Sequence, residues 1–378
     1  MPNILTALQP VLFSVAQEVA AEPFGAISAI NTSFDSKGVA RGDKVKVPVA
    51  PIRSNTAFSP SNITSTGADA TATAVEVEIT KSQLNSFNLT GEQISSLENG
   101  GNYQEWVRQM LGQMMRALRN EAEADAVAAI KAGSSRAVGT AGTNPFASNI
   151  NAMADVRKIL RDNGAPMADP QMIFDTTSEA ALFKLGIITE ADKAGSDAER
   201  RSGVLGRQFG FQLRQSAGIT LHTKGTGASY TSSTGGPFAI GTRDIPLITG
   251  TGTVLPGDVV TFAADSTNKY VVNTGVSAPG TITLGRPGVL TAIPNSNAMT
   301  VGNNYTPILA FERSAVVGVM RPPAMPANPT ISQMLISDGK GMTYLLLDIA
   351  QYGQRTWELH LAWGFKTVQS EFVATLLG

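Results

Sequence analysis

A single long helical pattern limits the folds that this 378-residue chain can adopt. Between Asn102 and Ala132, large apolar side chains recur every four residues, which is the spacing of one face of an α-helix. They are Trp106, Met110, Met114 and Leu118. Two glycines before Asn102 and Gly133 after the pattern indicate where the helix begins and ends. At 1.5 Å per residue the helix would be about 46 Å long, so we predict one helix, 102–132, against which several other parts of the chain pack.

A long hairpin is predicted ahead of this helix. Lys44–Val49 and Val75–Ile79 alternate polar and apolar residues, as strands with one buried face do. The 20 residues between them, 54–73, include nine Ser or Thr, and only Phe58 and Ile63 are large and apolar. The segment is either a loop without structure or a projecting two-stranded hairpin. Because an isolated hairpin is marginally stable in water, we expect an ordered one to rest on another subunit.

The second half of the chain changes character twice. Residues 146–221 show alternating helix and strand patterns, with a short strand at Gln171–Phe174. Residues 222–304 contain only seven charged residues but 15 Thr and 13 Gly, arranged as short β runs between turns, which predicts a small sandwich or barrel. Its flanks, Gly218–Leu221 and Pro307–Phe311, are both predicted as strands of the preceding unit, so the barrel is expected to be an insertion.

The C-terminal segment returns to strands. Met342–Ile349 is one predicted strand, and Gly364 is expected to end the next. In the latter, four large apolar residues share one face: Trp357, Leu359, Leu361 and Trp363. Glu358, His360 and Ala362 share the other face. Segments from both ends of the chain are therefore expected to meet around the long helix.

Composition excludes several classes of function. The 29 basic and 30 acidic residues give a net charge of −1, whereas a dedicated nucleic-acid binder is strongly basic. The chain has no cysteine, which excludes disulfides and Cys-ligated zinc. Only 16% of residues are charged, so much of the surface suits burial against other copies. We expect no membrane-spanning helix, and no signal peptide because no Lys or Arg precedes Lys37.

The residues that could carry catalysis are few. His222 and His360 are far apart in the sequence, and a zinc site needs three or four ligands. The carboxylates of Glu121, Glu123 and Asp125 are expected to lie on an exposed helix face and to pair with Arg116 and Arg119 of the same helix. No catalytic residue, no cofactor-binding residue and no metal ligand is predicted, and we do not expect an enzyme.

The order of these parts resembles that of a known family. It runs from an apolar arm through a long hairpin, a very long helix and an α/β unit to an inserted barrel and returning strands. The segments that carry the resemblance are Gln171–Asp175, Arg207–Ser216, Pro256–Phe262, Ala310–Val316 and Trp357–Val368. Together they resemble the major capsid proteins of tailed bacteriophages, which have the Hong Kong 97-type fold, in the variant with an inserted β-barrel domain.

The resemblance implies an α+β fold with a defined division of the chain. The implied parts are an N-terminal arm (1–43), an extended hairpin loop (44–82), a peripheral domain with the spine helix (83–145, helix 102–132), the first part of the axial domain (146–221), the inserted β-barrel (222–304), the axial return (305–341) and C-terminal strands of both domains (342–378). Arg53, Phe58 and Ile63 are the implied inter-subunit contacts at the hairpin tip. No covalent crosslink is expected, since Lys44 and Lys46 lie at the base of the hairpin.

The implied function is a major capsid protein that self-assembles, as hexamers and pentamers, into the icosahedral head shell around double-stranded DNA. Scaffolding and portal proteins, and a decoration protein, are the implied partners; the DNA would be enclosed without sequence-specific binding, and no membrane is involved. Assembly would take place in the host bacterial cytoplasm, and the protein would end in the virion. Two alternatives stay open from the residues: a secreted or surface β-rich adhesin, and a carbohydrate-active enzyme.

Overall fold

The computed structural model describes residues 13–19, 25–33, 39–49, 57, 60, 73–185, 206–326, 331–338 and 342–378. Its helices are α1 (13–19), α2 (Gly25–Ala29), α3 (Gly91–Asn99), α4 (Tyr103–Ala132), α5 (Asn151–Asp162) and α6 (Thr176–Phe183), with 3₁₀ turns at Arg313–Ala315 and Ser370–Phe372. The long helix α4 confirms the sequence prediction to within one residue at its start.

The strands form three sheets. In chain order they are β1 (Asn31–Ser33), β2 (Lys44–Val49), β3 (Thr73–Glu78), β4 (Lys81–Thr90), β5 (Arg136–Gly139), β6 (Pro170–Phe174), β7 (Arg207–Gln208), β8 (Phe211–Gln215), β9 (Tyr230–Ser232), β10 (Asp244–Ile248), β11 (Val259–Phe262), β12 (Asp265–Thr274), β13 (Thr281–Leu284), β14 (Ala298–Val301), β15 (Pro307–Glu312), β16 (Val316–Arg321), β17 (Ile331–Ser337), β18 (Thr343–Gln351), β19 (Gln354–Thr367) and β20 (Val373–Leu377). The mixture of one long helix with largely antiparallel sheets confirms the α+β class.

The six-stranded sheet packs on the first two thirds of α4. Its order is β1-β16-β19-β18-β17, and β4 pairs with the free side of β19. The apolar face predicted for β19 is fully buried, and it packs against the α4 face that contains Val107, Leu111 and Met115. The predicted stripe of methionine and tryptophan on the helix is therefore packing surface.

The last turns of α4 cover a second, mixed sheet, ordered β5-β20-β15-β6-β8-β7. Ala126, Val127 and Ile130 pack with apolar residues of β6, β15 and β20. On this sheet β5 is parallel to β20 and β6 is parallel to β8, whereas the other pairs are antiparallel. The long helix thus joins two cores, as its length predicts.

Six strands, β9 to β14, close into a barrel. The pairings run β11-β14-β9-β10-β13-β12 and return from β12 to β11, so the predicted inserted barrel is confirmed. It has its own apolar core, which includes Val260, Tyr270 and Ile282. Strand β12 continues out of the barrel and pairs with β5, which connects the barrel to the mixed sheet.

Two expectations from the sequence are corrected. Strand β19 does not end at Gly364 but continues to Thr367 because β16 pairs with it through this region. Gly218–Leu221 is not a strand: Ile219 is buried against α4, so the segment crosses the helix without pairing in a sheet. Within 305–341, β15 joins the mixed sheet while β16 and β17 join the six-stranded sheet. The division into domains remains a prediction.

Among the described residues, no helix has both the length and the apolar character needed to cross a lipid bilayer.

Candidate interaction site

The base of the predicted hairpin is a two-stranded sheet. Strands β2 and β3 pair antiparallel, from Lys44 opposite Glu78 to Val49 opposite Thr73. The half-buried valines of β2 and the buried Val77 pack on Val317 and Val319 of β16. The lysines of β2 face outward: Lys44 lies 3.1 Å from Glu76, a hydrogen bond that raises the pKa of Lys44 and lowers that of Glu76. The alternation predicted for this sheet is therefore confirmed.

The hairpin base approaches β19 closely at Gly364. A Cβ atom at this position would lie 2.9 Å from the carbonyl carbon of Glu78 and 3.0 Å from Cα of Ile79. Because both are backbone atoms, any side chain at position 364 would separate the strands. The Thr80 amide donates to the Trp363 carbonyl at 3.1 Å, and Lys366 Nζ donates to the Glu76 carbonyl at 2.9 Å. The hairpin is thus fixed at its base by backbone contacts.

The residues predicted to make contacts at the hairpin tip, Arg53, Phe58 and Ile63, lie outside the described residues. Their role as inter-subunit contacts stays a prediction.

The N-terminal segment is held on the long helix by buried charge. Glu123, which is 2% exposed, accepts hydrogen bonds from the amides of Ala26 and Ile27 at 2.6 and 2.9 Å and from the Ser216 hydroxyl at 2.6 Å. One carboxylate therefore joins α4, the start of α2 and the segment after β8. Arg119 Nη1 donates to the Val19 carbonyl at 3.0 Å, which fixes the end of α1.

The expected pairing of charges within α4 is wrong. Glu121 and Asp125 both contact Lys81 of β4, at 3.1 and 2.9 Å, while Arg116 lies 3.7 Å from Glu18 of α1. Glu123 is also not exposed. The reason is that strands and N-terminal helices surround α4, so its charged side chains meet partners distant in sequence. These carboxylates are engaged in structural contacts, which disfavours the carbohydrate-active alternative.

Asp125 has a second partner, because the buried indole nitrogen of Trp363 donates to it at 2.8 Å. We expect Asp125→Ala to lower the free energy of unfolding by about 2 kcal/mol, since it leaves the indole N–H unpaired. Urea titration followed by tryptophan fluorescence measures the loss. Glu121→Ala is the control, because it removes a carboxylate that contacts the same lysine, Lys81, whose side chain is 40% exposed. This variant should lose at most about 0.5 kcal/mol of unfolding free energy. Equal losses of unfolding free energy in the two variants would show that the hydrogen bond from the Trp363 indole to Asp125 does not stabilise the fold.

The two histidines occupy different environments. His360 lies 3.2 Å from Glu358 on the same face of β19, as the alternation predicts. The sequence predicts no partner for His222, but the structure gives its ring two. Its Nε2 is 2.9 Å from Asp258 and its Nδ1 is 3.0 Å from Lys131. The sequence shows no signal of this cluster, because its members are separated by 36 and 91 residues.

The described residues show no constellation suited to catalysis. They contain no group of three or more His, Asp or Glu side chains placed to bind a metal ion. In the cluster around His222, a lysine occupies the position that a serine or threonine nucleophile would need. A cavity of about 480 Å³ between Pro322–Met325 and strands β17 and β18 is lined by no titratable side chain. The described residues that line this cavity therefore include no candidate for acid/base catalysis.

Among the described residues, β17 is an edge strand beside this cavity. Strand β17 pairs with β18 on one side, and no described residue pairs with its other side. Leu335 and Met325 next to it are 43% and 39% exposed. An unpaired edge with exposed apolar side chains is a surface on which another chain can pair.

Comparisons with known proteins give structural similarities only. No family model and no curated protein matches the sequence. The capsid of cyanophage P-SCSP1u is similar over 92% of this chain and 86% of that chain, with 13% identity and a TM-score of 0.46. The virus-like particle of Pyrococcus furiosus is similar over 97% and 98%, with 8% identity and a TM-score of 0.46. A chain of Mycobacterium phage Che8 is similar over 89% and 84%, with 12% identity and a TM-score of 0.45. At these identities no residue role is transferred to this chain.

Proposed function

We propose that this chain is the major capsid protein of a tailed bacteriophage, many copies of which assemble into an icosahedral head shell around double-stranded DNA. The observation that carries the proposal is the hairpin. Its base is held by close backbone contacts at Gly364 and by burial of Val77, yet among the described residues β2 and β3 pair in a sheet only with each other. Such a sheet does not support a long extension by itself, so the extension would be ordered by a neighbouring copy.

The other exposed features suit the same role. The edge strand β17, as far as the described residues define it, and the exposed apolar side chains of Leu335 and Met325 offer a second surface for copies of the chain. Contacts of this kind can be weak one by one, because many of them act together in a closed shell. The role is mechanical and uses no catalytic residue and no cofactor.

The balance of basic and acidic residues suits a shell that encloses DNA without binding it tightly. The chain has a net charge of −1, whereas tight DNA binding requires many contacts between basic side chains and phosphates. The proposal includes hexamers and pentamers of the chain, scaffolding and portal proteins as assembly partners, and a decoration protein on the shell. It places assembly in the cytoplasm of a host bacterium and the finished protein in the virion.

A shortened hairpin tests the proposal. Residues 50–72 are replaced by Asn-Gly, the two-residue turn that joins antiparallel strands best, so that Val49 and Thr73 remain paired. We expect the unaltered chain, expressed with its scaffolding protein where one is required, to form closed shells in negative-stain micrographs. The shortened variant should stay as small oligomers, because it lacks the segment that overlaps the neighbour.

Circular dichroism and thermal melting of the shortened variant provide the control, and both should match those of the unaltered chain. Two outcomes would contradict the proposal: a strictly monomeric unaltered chain in sedimentation velocity with the scaffold present, or normal shells from the shortened variant.

A further inference from the structure

Three polar side chains from distant parts of the chain meet where the barrel touches the end of α4. Lys131 lies in the last turn of α4, His222 precedes the barrel, and Asp258 lies in the turn before β11. Lys131 Nζ is 3.0 Å from His222 Nδ1, and His222 Nε2 is 2.9 Å from Asp258 Oδ1. His222 and Asp258 are only 6% and 1% exposed, whereas Lys131 is half-buried, so the imidazole and the carboxylate are shielded from bulk water.

The hydrogen bonds define the protonation state of the imidazole. The Asp258 carboxylate already accepts from the backbone amides of Gly225 at 3.1 Å and Leu255 at 2.8 Å, so it acts as an acceptor toward His222 as well. His222 Nε2 therefore carries a proton and donates it to Asp258. Nδ1 is left with its lone pair, which accepts from the Lys131 ammonium. With Lys131 as an ammonium, which can only donate, the contact at 3.0 Å requires Nδ1 of His222 as its acceptor.

The surroundings hold these groups in place. The Tyr305 ring lies 5.1 Å from the His222 ring, and its hydroxyl donates to the Gly257 carbonyl at 2.6 Å. A Cβ at Gly257 would lie 3.1 Å from Lys131 Cε, so the lysine stem packs on this glycine. The titratable groups that face His222 are thus Lys131 from α4, Asp258 from the barrel and the Tyr305 hydroxyl from the segment after the barrel.

We propose that Lys131, His222 and Asp258 form a pH-sensitive latch that fixes the barrel to the end of α4. A proton added to His222 removes the acceptor for Lys131 and places an imidazolium against an ammonium. The bond from Nε2 to Asp258 is kept, because the imidazolium still donates to the carboxylate and the bond gains charge assistance. Acidification therefore releases α4 from the latch while His222 stays bound to the barrel. The proposal concerns a feature separate from shell formation and holds whether or not the chain forms shells.

The environment already disfavours positive charge at this point. Burial lowers the pKa of Lys131, and the negative charge of Asp258 only partly opposes this effect. A second cation beside the ammonium adds repulsion in a site with little water to screen it. A further attachment, the pairing of β12 with β5 through Lys269 and Tyr270, contains no histidine. It would keep the barrel attached when the latch opens, so the expected change is local.

Hydrogen exchange measured by mass spectrometry tests the latch. The full chain, in one assembly state throughout, is compared at about pH 7.5 and about pH 5.5, the range over which histidine changes charge, after correction for the intrinsic rate. We expect amides in the last turn of α4, together with those of Gly133 and Ser134, which donate to carbonyls of that turn, to exchange about tenfold faster at the lower pH, as loss of one charge-assisted hydrogen bond would give. The corrected exchange of peptides from β19 should be the same at both pH values.

Lys131→Met is the matched control, because it keeps an aliphatic stem against Gly257 and removes the positive charge. In this variant the corrected exchange of the last turn of α4 should be the same at both pH values. Lys131→Gln serves the same purpose if the methionine variant does not fold. Two results would contradict the latch: exchange in the unaltered chain that does not change with pH, or an acceleration at low pH that is equally large in the Lys131 variants.

Discussion

Replacing Glu123 by alanine is expected to lower the free energy of unfolding by about 4 kcal/mol. The carboxylate accepts three short hydrogen bonds from Ala26, Ile27 and Ser216 in a site that is 2% exposed. Without it, two backbone amides and a hydroxyl are left buried and unpaired, and α2 loses its connection to α4. Urea unfolding followed by tryptophan fluorescence measures the change, since Trp357 and Trp363 pack against α4.

Two substitutions separate this effect from a general weakening of the helix. Glu105→Ala, on an exposed position of α4, should change the free energy of unfolding by no more than about 0.5 kcal/mol. Ser216→Ala removes one of the three donors to Glu123 and also the acceptor of the Gly218 amide at 3.2 Å, while the two backbone amides keep the carboxylate, so it should cost only about 1 kcal/mol. A Glu123→Ala variant no less stable than Glu105→Ala would show that the carboxylate does not join these segments.

Gly364→Ala is expected to lower the free energy of unfolding by about 3 kcal/mol, the upper range for an inserted methyl group. The added atom would meet the backbone of Glu78 and Ile79, and backbone atoms cannot rotate away as a side chain can. Strands β3 and β19 must therefore separate, which displaces the base of the hairpin. If the hairpin overlaps a neighbouring copy, closed shells should disappear from negative-stain micrographs of this variant.

Gly235→Ala provides the matched control for this substitution. Position 235 has a contact of 3.7 Å with the Ser233 hydroxyl and no unusual backbone angle, so a methyl group fits there. We expect normal shells and a change in unfolding free energy below about 0.5 kcal/mol. Normal shells from Gly364→Ala would mean that the approach of these strands is not needed for assembly.

Together, Glu123 and Gly364 describe how the chain carries its extended parts. One attaches the N-terminal segment to α4 by hydrogen bonds to a buried charge, and the other attaches the hairpin to β19 by close backbone contact. Both points of attachment lie on the scaffold formed by α4 and the six-stranded sheet. A protein that forms a shell needs such fixed bases, because a segment that reaches a neighbour transmits force only when its own end is held.

The elements that could be predicted from the sequence are those with a local repeat. Apolar residues spaced by four defined α4, and alternation defined the faces of β19 and the pairing strands of the hairpin. The change of composition at residue 222 indicated the barrel. These features follow from side chains close in sequence, whose burial on one face depends only on the period of the helix or strand.

Only the tertiary structure decided which distant groups meet. The pairing of β9 with β14 in the barrel, the partners of Glu123 and the cluster at His222 join residues whose separation in sequence leaves no periodic trace. Gly364 was mistaken for the end of a strand because a glycine that ends a strand and a glycine that admits a neighbouring backbone look the same in one sequence. Which of the two it is depends on the chain packed above it, and that chain is placed by the fold as a whole.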